Sequence, residues 1–239
     1  MNTGVIIQAR MGSTRLPGKV MKKLAGKEVL WHVVDRLKRS KHLNQIIVAT
    51  TTNVMDDRIV EFCNENNILY YRGDEKDVLK RYYEAAKYYK LDIGVRVTSD
   101  CPLIHPIVVD TLIEELSNKH LDYVTNSFKS TFARGLECSA FTFEALEKCF
   151  LEATLEPHRE HVVLYIRENL NLFRTEGIEN HTNESNYRVT LDEEADYTLL
   201  NMIYNNLYEE GQIIPIDNAL KYILQNDLFH INNQVKQKS

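Results

Sequence analysis

The sequence predicts an α/β fold with a mostly parallel central sheet flanked by helices, and three observations carry that prediction. Short apolar runs alternate with amphipathic stretches through the first half, the pattern left by successive βαβ units. The first of those runs, Val5, Ile6 and Ile7, leads straight into a loop rich in glycine and cations. At 239 residues, 44% hydrophobic and 26% charged, the chain is long enough to bury a large sheet. One domain over residues 1–239 is expected.

Val5, Ile6 and Ile7 read as the first strand, and Val29, Leu30, Val33, Val34 and Leu37 recur at helical spacing after it. Residues 46–49 read as the second strand, before a helix around Ile59, Val60 and Cys63. Residues 68–71 read as a third strand, 78–89 as a helix, and 95–98 as a strand ending at Ser99-Asp100-Cys101-Pro102. The next helix carries Val108, Leu112, Ile113 and Leu116. In the less regular second half, residues 123–126 and 138–143 read as strands around a polar stretch, and 160–169 as a helix. Residues 187–191 read as a last strand that runs into Asp192-Glu193-Glu194-Ala195-Asp196, where acids favour the first turn of a helix. Leu199, Leu200, Ile203 and Leu207 continue that helix, residues 216–224 close the fold, and 234–239 fray.

The loop after the first strand is Gln8-Ala9-Arg10-Met11-Gly12-Ser13-Thr14-Arg15-Leu16-Pro17-Gly18-Lys19. A buried strand feeding such a loop offers backbone N–H groups, hydroxyls and three cations at one spot, which suits a polyphosphate. Two better-known phosphate loops do not fit. Gly12 and Gly18 enclose five residues rather than four, and Val20 follows Lys19 where the Walker pattern needs a hydroxyl; G-x-G-x-x-G is missing as well. The plainer alternative is a turn made by Pro17 and Gly18 with its cations in solvent. Cations this dense in a strand-to-helix loop favour an anion, and a nucleoside triphosphate is expected.

Charge narrows the partner. Residues 1–41 hold ten Lys/Arg against Glu28 and Asp35, a net +8 that leaves −13 for the remainder of a chain whose total is −5. A basic end on an acidic body suits a small polyanion and disfavours nucleic acid. No apolar run is long enough for a membrane span, Gln8 and Arg10 interrupt any signal-peptide core, and Cys63, Cys101, Cys138 and Cys149 form no C-x-x-C pair. A cytoplasmic protein with reduced thiols is expected, with no membrane and no nucleic-acid partner.

In open α/β sheets ligands lie beyond the carboxyl ends of the strands. The loop, Thr50-Thr51-Thr52, Arg72-Gly73-Asp74 and Ser99-Asp100 all follow predicted parallel strands and so face one edge. Asp100 reads either as a helix N-cap or as a hard oxygen ligand for Mg²⁺. Asp192 carries the same ambiguity, and its strand-end position brings it toward Asp100, the pairing a metal-assisted attack on phosphorus requires.

Together the loop, Arg96-Val97-Thr98-Ser99-Asp100-Cys101-Pro102 and Arg188-Val189-Thr190-Leu191-Asp192-Glu193 resemble one family over nearly the whole chain. They look like the cytidylyltransferases that activate acidic sugars, in the branch of the spore coat polysaccharide biosynthesis protein F type, related to acylneuraminate and 3-deoxy-manno-octulosonate cytidylyltransferases. The resemblance implies a Rossmann-like nucleotidyltransferase fold with a small excursion over residues 127–165 serving as sugar pocket or dimerisation arm. It implies transfer of CMP from CTP to a small acidic sugar of the nonulosonic or ulosonic type, release of pyrophosphate, a role in surface polysaccharide synthesis, Mg²⁺ as cofactor, and a homodimer. Carried onto this sequence, Lys19, Arg15 and Asp100 are catalytic, and Gln8, Ala9, Arg10, Gly12, Ser13, Thr50, Thr51, Arg72 and Arg96 bind the nucleotide. Asp100 and Asp192 hold the metal, and Glu137 sits where substrate is expected. His158 and His161 stay outside the catalytic set, as residues beside Arg159 and Glu160 at a helix start. Two rivals remain at this point, a nucleotide-sugar-dependent glycosyltransferase and a non-catalytic nucleotide sensor; Ser99-Asp100-Cys101-Pro102 lacks the Asp-x-Asp usual in the first.

Overall fold

The computed structural model describes residues 1–235; part of the tail expected to fray, 236–239, lies outside the described residues. In chain order the elements are β1 (Thr3–Gln8), a hairpin of β2 (Lys23–Leu24) and β3 (Lys27–Glu28), α1 (Val29–Leu37), β4 (Gln45–Thr51), α2 (Asp57–Glu65), β5 (Leu69–Gly73), α3 (Val78–Tyr88) and β6 (Ile93–Thr98). Then come α4 (Pro106–Asn118), β7 (Tyr123–Thr125), β8 (Ser139–Thr142), α5 (Phe143–Glu152), α6 (Glu156–Glu160), α7 (Leu164–Glu168), β9 (Thr175–Gly177), α8 (Glu194–Leu207) and α9 (Ile216–Gln225).

Seven strands form one sheet in the order β5-β4-β1-β6-β8-β7-β9. β1 pairs in parallel with both β4 and β6, β4 with β5, and β7 with β9; only β8 runs against its neighbours. The centre is β1, whose period-2 alternation sends Val5 and Ile7 into one core and Ile6 into the other. All three are fully buried, and each such side chain contributes about 1.5–3 kcal/mol on leaving water. The amphipathic stripes of α1, α2 and α4 cover the first face, and α3 and α5 the second. A third cluster, built by α8, α9, β2, Val189 and Leu191, buttresses the carboxyl edge of the sheet. This is a Rossmann-like α/β fold. Of residues 127–165, β8 lies within the sheet between β6 and β7, and α5 packs beside α3.

Two elements depart from the sequence reading. Residues 187–191, buried from Arg188 on, form no sheet strand. Their backbone bonds are split between two segments: Arg134 N donates to Tyr187 O and Val189 N to Arg134 O, whereas Leu191 N donates to Asp100 O at 2.8 Å. A single bridge, Arg134 to Arg188, therefore replaces a ladder. Residues 160–169 are not one helix, because His161 leaves the helical region at ψ 88° and separates α6 from α7.

Gly135 makes the first crossing possible. Its φ is +103°, and an added Cβ would lie 2.7 Å from the backbone nitrogen of Thr190. Gly135→Ala is therefore expected to destabilise the fold by roughly 1–3 kcal/mol or more, the size of a strained non-glycine residue with a backbone clash added. Chemical denaturation checks this; wild-type stability would show that residues 188–191 are free to shift.

Candidate active site

Chain order reverses between β1 and β6, the switch point at which α/β sheets bind ligands. A cavity of about 1030 Å³ opens there, at the carboxyl ends of both strands. One wall is the loop after β1. Met11 O accepts from both Ser13 N and Gly18 N, and Leu16 anchors the loop in the third core cluster. Asp56, itself buried, ties the loop down by accepting from Met11 N at 2.7 Å.

Lys19 leaves the loop at Gly18, whose φ of +68° turns the chain into a short 3₁₀ segment. Its ammonium reaches Asp100 Oδ2 at 2.6 Å, Leu191 O at 2.8 Å and Asp192 Oδ1 at 2.9 Å. Arg15 stands 3.2 Å from the same Asp192 oxygen and donates to Glu193 at 2.9 Å. The whole cluster is partly buried, and burial works against the Lys19 charge; the two aspartates outweigh it and hold Lys19 above the usual lysine pKa. Burial likewise opposes the charge on Asp192, yet Lys19, Arg188 and Arg15 draw its carboxyl below the usual range. Both shifts favour the charged forms.

Neither aspartate caps a helix. His105 takes the N-cap position of α4, and Glu193 that of α8, where Asp196 accepts from the backbone of Glu193 and Asp192. Freed of capping, Asp192 faces the cavity, brought to Asp100 by the Leu191 N to Asp100 O bond rather than by a sheet strand.

Gln8, Ala9, Arg10, Ser13, Arg15, Lys19, Arg96, Asp100 and Asp192 all line the cavity. Five expected residues do not. Thr50 and Thr51 are fully buried at the end of β4, and Thr51 Oγ1 donates to Asp56; it supports the loop from behind instead of facing a base. Arg72 turns away to Asp57 at 2.7 Å and to the carbonyls of Thr51 and Asn53. Glu137 accepts from Gly135 N at 2.6 Å, which spends its carboxylate on the backbone turn next to it. Gly12 is exposed and lies outside the lining, with only Glu75 within 4 Å of the place its Cβ would take. Of the two histidines, His161 lines the cavity, whereas His158 is buried and bonded to Glu168 at 2.7 Å.

Sequence reasoning misses Arg188 and Asp196, which hold Asp192 from behind, and Arg81 and Arg159 on the far wall. Arg159 clamps Asp77 with three hydrogen bonds and so joins α6 to the start of α3. Arg81 is 3% exposed, and its Nε, like that of Arg96, has no hydrogen-bond partner among the described residues. Arginines in a cavity lining suit an anion.

The donor set fits Mg²⁺ of the kind that arrives with a phosphate. Asp100 and Asp192 bring hard oxygens to within 3 Å of one point, now taken by the Lys19 ammonium. Among the described residues no third His, Cys, Asp or Glu completes a self-sufficient metal site. One or two carboxylates plus phosphate oxygens is the usual arrangement for this ion.

The sequence profile of the cytidylyltransferase family matches residues 4–231. The chain belongs to the cytidylyltransferase family. It is thus a nucleotidyltransferase, and the glycosyltransferase and sensor readings give way to it. Among solved structures, a cytidylyltransferase from Leptospira borgpetersenii is 36% identical with a TM-score of 0.91, each chain covering 100% of the other. The spore coat polysaccharide biosynthesis protein SpsF of Bacillus subtilis is 29% identical over 214 residues, 87% of this chain and 88% of that one. A 3-deoxy-manno-octulosonate cytidylyltransferase of Geobacter sulfurreducens is 34% identical over 119 residues, 49% of this chain and 46% of its own length. No helix among the described residues is long and apolar enough to cross a membrane.

Proposed function

We propose that this cytidylyltransferase transfers CMP from CTP, bound with Mg²⁺, to a hydroxyl of an acidic sugar of the nonulosonic or ulosonic type, releasing pyrophosphate. The observation that carries the reading is the convergence of Lys19, Asp100 and Asp192 within 3 Å beside a cationic loop at the switch point. The hydroxyl oxygen attacks the α-phosphorus as the bond to the β-phosphate breaks, and the hydroxyl proton is released. Lys19 and Arg15 neutralise the departing pyrophosphate, and Arg10 and Ser13 hold the triphosphate along the loop. Asp100 and Asp192 would hold Mg²⁺, which supplies charge neutralisation at the phosphate oxygens and a lowered hydroxyl pKa. Arg81 and Arg96 in the cavity lining favour an anionic group on the acceptor as well.

SpsF is named for spore coat polysaccharide, and the Geobacter relative for an octulosonate. The first supports a role in surface glycan synthesis and the second a ulosonic acceptor, with the reaction carried out in the cytoplasm where CTP is made. A homodimer belongs to the same proposal: Leu151, Leu155, Leu170 and Leu172 are exposed apolar residues on and beside α5, α6 and α7 that a second copy would cover. Light scattering at twice the 27.9 kDa chain mass would support it.

The test is a pyrophosphate-release assay with each nucleoside triphosphate, Mg²⁺, and a panel of sugar acids and neutral sugar phosphates. Release from CTP with a sugar acid is expected. Release only with a neutral sugar phosphate, or from another triphosphate, would contradict the acceptor or the base.

A further inference from the structure

We propose that Arg188 and Asp196, backed by Asn232, are positioning residues that decide which oxygen of Asp192 faces the metal-chelated triphosphate. The proposal rests on the role given to Asp192 above. The two oxygens of Asp192 have separate partners. Oδ2 accepts from Arg188 Nη2 at 2.7 Å, whereas Oδ1 faces Lys19 at 2.9 Å and Arg15 at 3.2 Å. Oδ1 thus meets the two cavity-lining cations, and rotating the carboxylate would break the Arg188 bond.

Arg188 is in turn fixed by Asp196, which is fully buried. Oδ1 of Asp196 accepts from Arg188 Nε at 2.7 Å and Asn232 Nδ2 at 2.9 Å. Its Oδ2 accepts from Arg188 Nη2 at 3.0 Å, Asp192 N at 2.9 Å and Glu193 N at 3.0 Å. One carboxylate thus holds both the backbone of Asp192 and the guanidinium that grips its side chain. Asn232 closes the network from the end of the described chain, donating also to Arg188 O at 3.1 Å. Burial alone would lower the Arg188 pKa, but the two aspartates raise it, so the fork stays charged. Arg188 Nη1 has no hydrogen-bond partner among the described residues, but both Asp196 oxygens and the Nε and Nη2 donors of Arg188 are engaged, and a buried network so tied restricts the geometry, the requirement for a carboxylate that meets a hard cation.

A staple for α8 alone would give the same bonds, so the test needs a readout that a staple would not move. Arg188→Lys, Asp196→Asn, Asn232→Ala and Asp192→Asn are compared by thermal melting, by CTP binding without metal, and by Mn²⁺ binding in the presence of CTP, followed through the paramagnetic resonance of free Mn²⁺. Arg188→Lys and Asp196→Asn are expected to weaken Mn²⁺ binding about 10- to 100-fold, as loss of a supporting hydrogen bond to a metal ligand does, with metal-free CTP binding unchanged. Asn232→Ala is expected to show the same loss in smaller measure. Folded Arg188 and Asp196 variants with wild-type Mn²⁺ affinity would overturn the proposal, provided that Asp192→Asn loses it. If Asp192→Asn itself keeps wild-type affinity, the role of Asp192 in the proposed function is what fails. Should the Arg188 and Asp196 variants not fold, Asn232→Ala decides, and wild-type affinity there overturns the positioning role.

Discussion

Lys19→Ala is expected to lower turnover by at least about two orders of magnitude, the typical cost of deleting one charge-assisted contact to a developing negative charge, roughly 3 kcal/mol of barrier. The ammonium has three partners, Asp100, Leu191 O and Asp192, and no other lysine reaches this point among the described residues. Its removal leaves two carboxylates facing each other without the cation between them. The fold should survive, because Asp192 keeps Arg15 and Arg188. Lys19→Arg is not a rescue: a planar fork cannot take the place of a compact point charge among three oxygens. Pyrophosphate release and a melting curve measured together check this, and turnover at the wild-type rate in a folded Lys19→Ala would remove the residue from the mechanism.

Asp100→Ala should have an effect of similar size with still less disturbance of the fold. The structural work at this position is done by the backbone, since Asp100 O accepts from Leu191 N at 2.8 Å and from Thr190 Oγ1 at 3.2 Å. The side chain pairs with Lys19, so truncation removes the carboxylate and leaves the crossing intact. Loss of about a hundredfold in turnover is expected if the carboxylate holds the cation that neutralises the transition-state charge. Turnover should fall while the melting temperature holds; a matched fall in both would assign Asp100 to stability.

Much of this site is legible in the sequence because it depends on strand ends. The run Val5, Ile6, Ile7 announces a central strand, and whatever follows a parallel strand must emerge at the carboxyl edge, so Lys19 and Asp100 meet as the pattern implies. Strand-end position fixes an edge but not a facing. Thr50 and Thr51 sit at that edge and still miss the cavity, because Asp56 folds over the end of β4 and takes the Thr51 hydroxyl. Arg188 reads as one residue of an apolar strand, and nothing local shows that its partner lies eight residues on. The spacing of Asp196 three residues after Glu193 is a capping signature that was available. The β2–β3 hairpin is hidden because Ala25, at φ 46°, stands where Asn or Asp usually precedes Gly26. α5 carries a readable start in Thr142, which accepts from Ala145 N, and a stripe of Ala145, Leu146 and Cys149.

In the proposed reaction a metal-chelated triphosphate enters between Lys19, Asp100 and Asp192. The most direct test is a crystal structure grown with CTP and Mn²⁺, with the metal located by anomalous scattering. One Mn²⁺ is expected within bonding distance of both aspartates and of a phosphate oxygen, with Lys19 moved onto the phosphates. A nucleotide bound elsewhere, with Lys19 still seated between the two carboxylates, would contradict it.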